Sequence, residues 1–325
     1  MAKRLLDIEN LEVGFTVYGG YLKVLNGVLF TMDEGEKVGL VGETGCGKTT
    51  TAKSVLKILP DPPSRTTGGR ILFKGRDILT MRKNEIREIH AREISMIFQD
   101  PTAALNPVFT IGDQLMTAIK YSNLHDNMTR KEIRERAVQA LKEVRLPDAE
   151  RILENYPIQL SGGMRQRICI AMALATRSTL LVADEPTTSL DVTIQDQVLR
   201  LLGTLIQEKG TSTILITHSL GLVREWTERV YVMYAGVMVE TADTADLFKN
   251  PLHPYTRGLM AAVPKLTGEG IAAGIAGRIP EYLNPPSGCR FHPRCPAVMA
   301  ICRKEKPINF NCGDNHKTAC FLYRE

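Results

Sequence analysis

The chain has 325 residues, with 41 Lys and Arg against 36 Asp and Glu. At roughly 100–200 residues per domain, this length predicts two or three domains. Hydrophobic residues make up 43% and charged residues 24%. These proportions are ordinary for a globular protein and argue against a collagen-like, coiled-coil or disordered chain. No stretch approaches the ~20 apolar residues of a membrane-spanning helix, and the first residues lack the apolar segment of a secretion signal, so we expect a cytosolic protein.

The net charge of +5 is concentrated at one end of the chain. From Cys289 to Glu325 there are seven Lys and Arg against three Asp and Glu, which leaves only +1 for the remainder. Because the body has no overall basic field, we expect no nucleic-acid partner. Five of the seven cysteines lie in the same terminal stretch. In a cytosolic protein, such a cluster favours a metal site over disulfides.

Alternating apolar residues and turn signals predict a mixed sheet in the first part of the chain. The expected strands are 5–13, 24–30, 37–41 and 68–73. A helix is expected over Thr49–Leu59. The prolines that follow, starting with Pro60, are expected to end it.

Residues 111–177 show mostly helical periodicity, and Thr129 with Glu132 has the form of a capping box, so we predict a helical insertion. A buried strand, a long helix, a second buried strand and a hairpin are expected at 180–183, 191–209, 213–217 and 230–239. After residue 250, prolines and glycines predict a linker with a short helix around Tyr255–Val263.

A glycine-rich loop lies between a predicted strand and a predicted helix, and it fits the pattern G-x-x-x-x-G-K-[ST]. Backbone N–H groups of such a loop wrap phosphates, and the helix N-terminus adds partial positive charge. The Lys48 ammonium suits the β- and γ-phosphates, and the Thr49 hydroxyl suits Mg²⁺. The predicted nucleotide contacts here are Gly42, Thr44, Gly45, Cys46, Gly47, Lys48, Thr49 and Thr50.

Two carboxylates follow the apolar run that starts at Leu180. Asp184 is expected to hold Mg²⁺ through water, and Glu185 to polarise the water that attacks the γ-phosphate. Carboxylate pairs after apolar strands are common in α/β proteins, so the pair alone does not indicate this chemistry. Together with the phosphate loop it predicts nucleotide hydrolysis.

Further motifs occur in the order found in ABC-type ATPases, and the first 245 residues or so resemble that family. Leu160-Ser-Gly-Gly-Met-Arg-Gln-Arg167 resembles its signature motif, and Gln99 its Q-loop glutamine. Ser189-Leu190-Asp191 resembles its D-loop, and His218 its switch histidine. The resemblance implies an α/β fold over residues 1–250: a RecA-like core, an antiparallel β-subdomain, and a helical subdomain at about 101–177.

The C-terminal sequence resembles a narrower group. Gly288–Pro296 resembles the C-terminal element of ATP-binding subunits of dipeptide/oligopeptide importers, and Asn250–Thr256 resembles the stretch that precedes that element. This resemblance implies a small C-terminal domain over residues 251–325. It also implies membrane permease partners, a peripheral location on the cytoplasmic face of the membrane, and indirectly an extracytoplasmic peptide-binding protein.

The resemblance to ABC-type ATPases also implies roles for the motif residues. Ser161, Gly162 and Gly163 would meet ATP held by a second ATPase subunit, either a copy or a related chain, and Asp191 would belong to the nucleotide site. A serine N-cap followed by two glycines at a helix start is itself suited to phosphate. Gln99 would serve Mg²⁺ or the attacking water. His218 would bond the γ-phosphate and position Glu185.

An aromatic side chain near the start of the chain is expected to stack on adenine. The family resemblance points to Tyr18, and Tyr21 is a nearby competitor. These assignments make ATP and Mg²⁺ the expected cofactors and Glu185, His218 and Gln99 the expected catalytic residues.

The terminal cysteines lack the C-x₂₋₄-C pairs that are usual in zinc sites. Their wider spacing favours an iron–sulfur cluster over zinc without excluding zinc. The family resemblance implies a [4Fe-4S] cluster, leaves Cys312 spare, and points to the ligands Cys289, Cys295, Cys302 and Cys320. We expect the cluster to stabilise a short segment with little core.

The expected function is therefore ATP hydrolysis that drives peptide import. A DNA-repair or chromosome-organising ATPase would need long coiled-coil arms between Lys48 and Ser161, and the sequence has no room for them. A translation-factor ATPase would need a second cassette, and only one is present.

Overall fold

The structure, a computed structural model, describes residues 3–123, 128–176, 178–187, 191–262 and 274–324, without the side chains of residues 192 and 193. In chain order, the helices and strands are β1 Arg4–Val17, β2 Gly20–Asp33, β3 Lys37–Val41, α1 Lys48–Val55, β4 Ser64–Phe73, β5 Arg76–Asp77, α2 Lys83–Arg92, β6 Ile94–Ile97, α3 Pro101–Ala104, α4 Ile111–Ser122, α5 Arg130–Glu143, α6 Ala149–Leu153, α7 Gly162–Ala175, β7 Leu180–Asp184, α8 Val192–Lys209, β8 Ser212–Ile216, α9 Leu220–Trp226, β9 Arg229–Tyr234, β10 Val237–Asp243, α10 Thr244–Lys249, α11 Pro254–Ala261, β11 Phe310–Asn311 and β12 Lys317–Thr318.

The chain divides into two compact units. The first unit contains Met1–Thr80 and Leu215–Glu325, and the second contains Met81–Ile214, so the division falls within β8. Each unit holds part of the predicted chemistry.

The first unit contains two sheets. One is antiparallel, in the order β2-β1-β4-β5. In the other the order is β11-β12-β10-β9-β3, with β3 parallel to β9 and the remaining pairs antiparallel. Its core includes Val41, Val232, Tyr234, Tyr255 and Phe291, so the strand that enters the phosphate loop packs with residues from the C-terminal part of the chain.

The second unit is mostly helical and contains the parallel pair β6–β7. The predicted capping box is confirmed: Thr129 Oγ1 accepts from the Glu132 amide at 3.3 Å, and the Glu132 carboxylate accepts from the Thr129 amide at 2.7 Å. The apolar face of α5 is buried, with Ala137 and Leu141 fully enclosed. Among the described residues, no helix is long and apolar enough to cross a membrane.

Two local expectations differ from the structure. The helix predicted over Thr49–Leu59 ends at Val55, because Lys57 takes a left-handed conformation with φ of 52°. The C-terminal segment is richer in core contacts than its sequence indicated. Phe291 is 2% exposed, and β12 extends the sheet by pairing with β10. Residues 263–273 of the expected linker, including the end of its predicted helix, lie outside the described residues.

The β9–β10 turn brings Gly236 against the backbone of β2. Gly236 has a φ of 77°, and a Cβ built there overlaps the Val24 carbonyl group. We expect Gly236→Ala to lower the free energy of unfolding by about 2–5 kcal/mol, because it adds steric overlap to the left-handed strain of a side chain.

Gly35→Ala is the matched control, because Gly35 has a φ of 81° with nothing within 4 Å of its Cβ position. It should cost only about 1–2 kcal/mol. Urea unfolding followed by circular dichroism measures both variants, and equal losses would contradict the close approach.

Candidate nucleotide site

The phosphate loop takes a conformation that suits glycine. Gly42, Gly45 and Gly47 have φ values of 152°, 84° and 110°. A Cβ at Gly42 would overlap the Met233 carbonyl oxygen, so neighbouring backbone leaves no space for a side chain there. Gly47 is the left-handed N-cap of α1, and the loop therefore leads directly from β3 into a helix N-terminus.

Lys48 folds back over this loop. Its Nζ donates to the carbonyl oxygens of Gly42 at 2.8 Å and Glu43 at 3.1 Å. The residue is only 4% exposed. A buried ammonium group held by carbonyl oxygens is a fixed positive charge inside a loop whose helix N-terminus also favours anions.

The other predicted loop residues differ in exposure. Thr44 and Gly45 are exposed, and Thr49 and Thr50 are half-buried. Cys46 is fully buried. Burial raises the pKa of its thiol, and the Lys48 charge opposes that shift only in part. The Cys46 side chain therefore stays protonated and packs as a small apolar group.

The first unit also holds His218 and the two candidate tyrosines. His218 is exposed and follows β8. Tyr18 lies fully exposed in the turn between β1 and β2. Tyr21 instead lies over Gly14, and its hydroxyl donates to the Arg65 carbonyl at 3.4 Å. Only Tyr18 of the two presents an uncovered ring.

The predicted carboxylates lie in the second unit. Asp184 is 1% exposed at the end of β7, and Glu185 is 9% exposed. Glu185 has a φ of 45°, a conformation that is uncommon for a residue with a side chain and recurs at functional sites. Gln99 Nε2 donates to Glu185 Oε2 at 3.0 Å, so these two predicted catalytic residues are brought together. The amide oxygen of Gln99 takes no part in this hydrogen bond and can act as a separate acceptor.

The signature segment begins α7 as the sequence indicated. Ser161 Oγ accepts from the Met164 amide at 3.3 Å, which confirms Ser161 as the N-cap. Ser161 is exposed, and Gly162 and Gly163 form the first turn. Asp191 is the exposed N-cap residue of α8. Its predicted D-loop neighbours, Ser189 and Leu190, lie outside the described residues.

Sequence reasoning missed three side chains that hold the phosphate loop from the C-terminal part of the first unit. The Glu43 amide donates to Tyr255 Oη at 2.8 Å. Tyr282 Oη donates to the Gly45 carbonyl at 2.7 Å. Arg294 pairs with both oxygens of the Glu43 carboxylate, at 2.8 and 3.1 Å. No local pattern indicates these contacts, because each joins residues more than 200 positions apart.

An aromatic cluster supports those contacts. Tyr234, Tyr255 and Phe291 lie with ring centroids 4.7–5.5 Å apart. His253 Nδ1 accepts from the Tyr255 amide at 3.0 Å. Burial lowers the pKa of His253 to about 3, so its ring stays neutral and remains an acceptor. The tyrosine that binds the loop is thus fixed at both its backbone and its ring.

Four of the terminal cysteines line one small cavity in the first unit. They are Cys289, Cys295, Cys302 and Cys320. The Cys289 amide donates to the Cys302 carbonyl at 2.9 Å. Burial, with added repulsion from the neighbouring thiolates, raises the pKa of Cys289 to about 11. Cys312 is exposed and lies outside the cavity lining. Within the described part of the chain, no three His, Cys, Asp or Glu side chains are already arranged to hold a metal ion.

Comparison with known proteins agrees with the geometry. A family model described as ABC transporter matches residues 25–188. A model of the oligopeptide/dipeptide transporter C-terminal region matches residues 239–302. A probable peptide ABC transporter ATP-binding protein of Sinorhizobium fredii is 45% identical, over 100% of this chain and 96% of its own length. This chain belongs to the ABC transporter family.

Other similar proteins include the dipeptide transport ATP-binding protein DppD of Bacillus subtilis, which is 45% identical over 98% of this chain and 95% of its own length. Among solved structures, the dimeric ATP-binding cassette MJ0796 bound to ADP and Pi matches with a TM-score of 0.65 and 26% identity. That match covers 74% of this chain and 98% of the cassette. The chain is accordingly an ABC-type ATPase with a P-loop α/β fold.

The contact between Glu185 and Gln99 suggests a test of Glu185 as the base that accepts a proton from water. We expect Glu185→Gln to bind ATP and to hydrolyse it roughly 10²–10⁴-fold more slowly, because the amide cannot accept a proton from water. Dimers should then accumulate with ATP, because the closed state cannot reset. Steady-state phosphate release and sedimentation velocity measure the two effects.

Adding Ser161→Arg to this variant should prevent the dimers from accumulating, because the arginine side chain would fill the phosphate site that is expected at the start of α7. Glu150→Gln, an exposed change on α6, is the control and should leave turnover unaltered. Normal turnover by Glu185→Gln would contradict the assignment of the base.

Proposed function

We propose that this chain is the ATP-hydrolysing subunit that energises import of dipeptides or oligopeptides through a membrane ABC transporter. The observation that carries the proposal is similarity over the whole chain to peptide transport ATP-binding proteins, including residues 239–302, which match the C-terminal region of oligopeptide/dipeptide transporters. The choice of peptide would lie with permease subunits and an extracytoplasmic peptide-binding protein.

The proposed nucleotide chemistry gives a role to each of the residues that the motifs indicate. The amides of residues 42–49 and the Lys48 ammonium would bind the β- and γ-phosphates, and Thr49, Gln99 and Asp184 would hold Mg²⁺. When bound, Mg²⁺ neutralises charge on the phosphate oxygens. Glu185 accepts the proton of the attacking water, and His218 bonds the γ-phosphate. The contact between Gln99 and Glu185 supports their shared role at that water.

The same proposal assigns Tyr18 to adenine stacking. Its uncovered ring supports this choice over Tyr21, whose ring is committed to Gly14. Flat aromatic rings suit a nucleobase because both faces are apolar and polarisable.

The proposed ATPase acts as a head-to-tail dimer. Ser161, Gly162 and Gly163 present a capped helix start, and Asp191 presents a second exposed helix start. In the dimer these groups meet ATP held by the phosphate loop of the other subunit. That subunit is a second copy or a related ATPase. The dimeric state of the similar cassette MJ0796 supports this arrangement.

The proposed permease contact is an apolar groove in the second unit. Its lining includes Phe109, Met116, Met128, Ile133 and Met172. Phe109 is 52% exposed, and exposed apolar patches mark interaction sites. Under this proposal a segment from the cytoplasmic side of a permease binds here, and the chain lies peripherally on the cytoplasmic face of the membrane.

We also propose a [4Fe-4S] cluster in a C-terminal element that spans about residues 251–325, with residues 1–250 as the ATPase domain. The shared cavity of Cys289, Cys295, Cys302 and Cys320 supports this set, as does the exclusion of Cys312. A bound cluster would supply four iron–sulfur bonds that cross-link the segment.

The transport proposal is tested in cells that lack the chromosomal gene. Full-length protein should restore uptake of labelled dipeptide or oligopeptide and should co-purify with membrane permease subunits. Phe109→Glu should reduce both, because it places a charge in the apolar groove, and should leave ATP binding intact.

Ile308→Glu is the control, because Ile308 is an exposed apolar residue of the first unit, 70% exposed. Recovery of ribosomes or DNA in place of membrane proteins would contradict the proposal.

The cluster proposal predicts that protein purified without oxygen is brown and contains about four iron and four sulfide per chain. Replacement of any of the four cavity cysteines by serine should lose the iron, and Cys312→Ser should retain it. Iron analysis and the visible absorption spectrum measure the outcome. Stoichiometric zinc without iron would refute the cluster, and loss of iron from Cys312→Ser alone would refute the ligand set.

A further inference from the structure

The phosphate loop contains an acidic residue, although the ligand proposed for this loop is itself an anion. Glu43 directly follows Gly42 in Gly42-Glu-Thr-Gly-Cys-Gly-Lys-Thr49. A carboxylate within a loop that binds a polyphosphate repels its ligand, and the repulsion is strong where solvent screening is incomplete. The Glu43 side chain is only 27% exposed.

Glu43 is held at each of its polar groups. Its amide donates to Tyr255 Oη at 2.8 Å. Its carbonyl accepts from Lys48 Nζ at 3.1 Å and from the Cys46 amide at 3.2 Å. Its carboxylate accepts two hydrogen bonds from the Arg294 guanidinium, one at each oxygen. The residue that contacts the phosphate-binding lysine through its backbone is therefore fixed through its side chain by the C-terminal segment.

Other contacts hold the Arg294 side chain in the orientation that this ion pair requires. Its side chain is 6% exposed. Its Nε donates to the Ala276 carbonyl at 2.8 Å, and its Nη2 donates to the Ile275 carbonyl at 3.2 Å. The guanidinium also lies over the Tyr234 ring, 5.6 Å from the centroid. These contacts orient the planar fork before the carboxylate binds, which is how arginine gains strength and geometric selectivity.

We propose that Arg294 is a positioning residue of the ATP site: it pairs with the Glu43 carboxylate and neutralises its charge, so that the phosphates of ATP meet the Lys48 charge without an opposing free carboxylate. Tyr282, through the Gly45 carbonyl, holds the other side of the loop. The proposal depends on the nucleotide role of the loop proposed above. It does not depend on whether the cysteines bind a cluster.

The test measures the affinity of the full-length chain for Mg-ATP by displacement of a fluorescent ATP analogue, together with KM and kcat for hydrolysis. The variants are Arg294→Gln, Glu43→Gln and the double variant. Lys48→Ala reports on the loop assignment itself. Arg303→Gln is the matched control, because it removes the same charge from an exposed position of the same segment. Far-UV circular dichroism during heating establishes that each variant is folded.

Arg294→Gln should weaken Mg-ATP binding by roughly tenfold, as expected for a typical coupling between neighbouring sites. The loss should appear in KM more than in kcat, because Arg294 does not touch the reacting atoms. Arg303→Gln should bind as the parent does. Glu43→Gln added to Arg294→Gln should restore affinity to within about twofold, because the free carboxylate is gone.

A merely structural ion pair predicts the opposite, because the double variant would remain as weak as Arg294→Gln. Parent-like affinity in Arg294→Gln, with binding lost in Lys48→Ala, would overturn the role of Arg294 and leave the phosphate loop intact. Parent-like affinity in Lys48→Ala would instead overturn the loop assignment. If Arg294→Gln does not fold, Glu43→Gln alone decides: parent-like or tighter binding supports the proposal, and weaker binding contradicts it.

Discussion

The left-handed backbone of Gly42, Gly45 and Gly47 is the constraint on which the ATP site depends. It turns carbonyl groups of the loop onto Lys48 Nζ and leads β3 into the N-terminus of α1. The same geometry leaves no space for a side chain at Gly42, because the Met233 backbone packs directly against it. The packing of the sheet in the first unit therefore determines the conformation of the phosphate loop.

The C-terminal part of the chain also holds the phosphate loop in this conformation. Tyr255, Tyr282 and Arg294 each bond the loop, and Arg290 donates to the Lys23 and Ala235 carbonyls. Arg290 and Arg294 lie between Cys289 and Cys295, two of the proposed cluster ligands. A change that loosens the cysteine segment therefore has a direct physical route to the phosphate loop, through hydrogen bonds within one unit.

Sequence reasoning succeeded where the determinant is local. The loop pattern, the Ser161 and Thr129 caps, and the buried run ending at Asp184 each depend on a few adjacent residues, and each is found as predicted.

It failed where the determinant is distant. Glu43 and Arg294 are 251 positions apart, and each alone is an ordinary charged residue. The end of α1 depends on the positive φ of Lys57, which no residue preference demands.

Amide hydrogen exchange, measured on the full-length protein with and without Mg-ATP, tests most directly whether the C-terminal segment is part of the ATP site. The account predicts that Mg-ATP slows exchange in the phosphate loop, residues 42–49, and also in residues 289–295, because Arg294 and Glu43 tighten as one unit. Protection confined to residues 42–49, with exchange at 289–295 unchanged, would contradict that coupling.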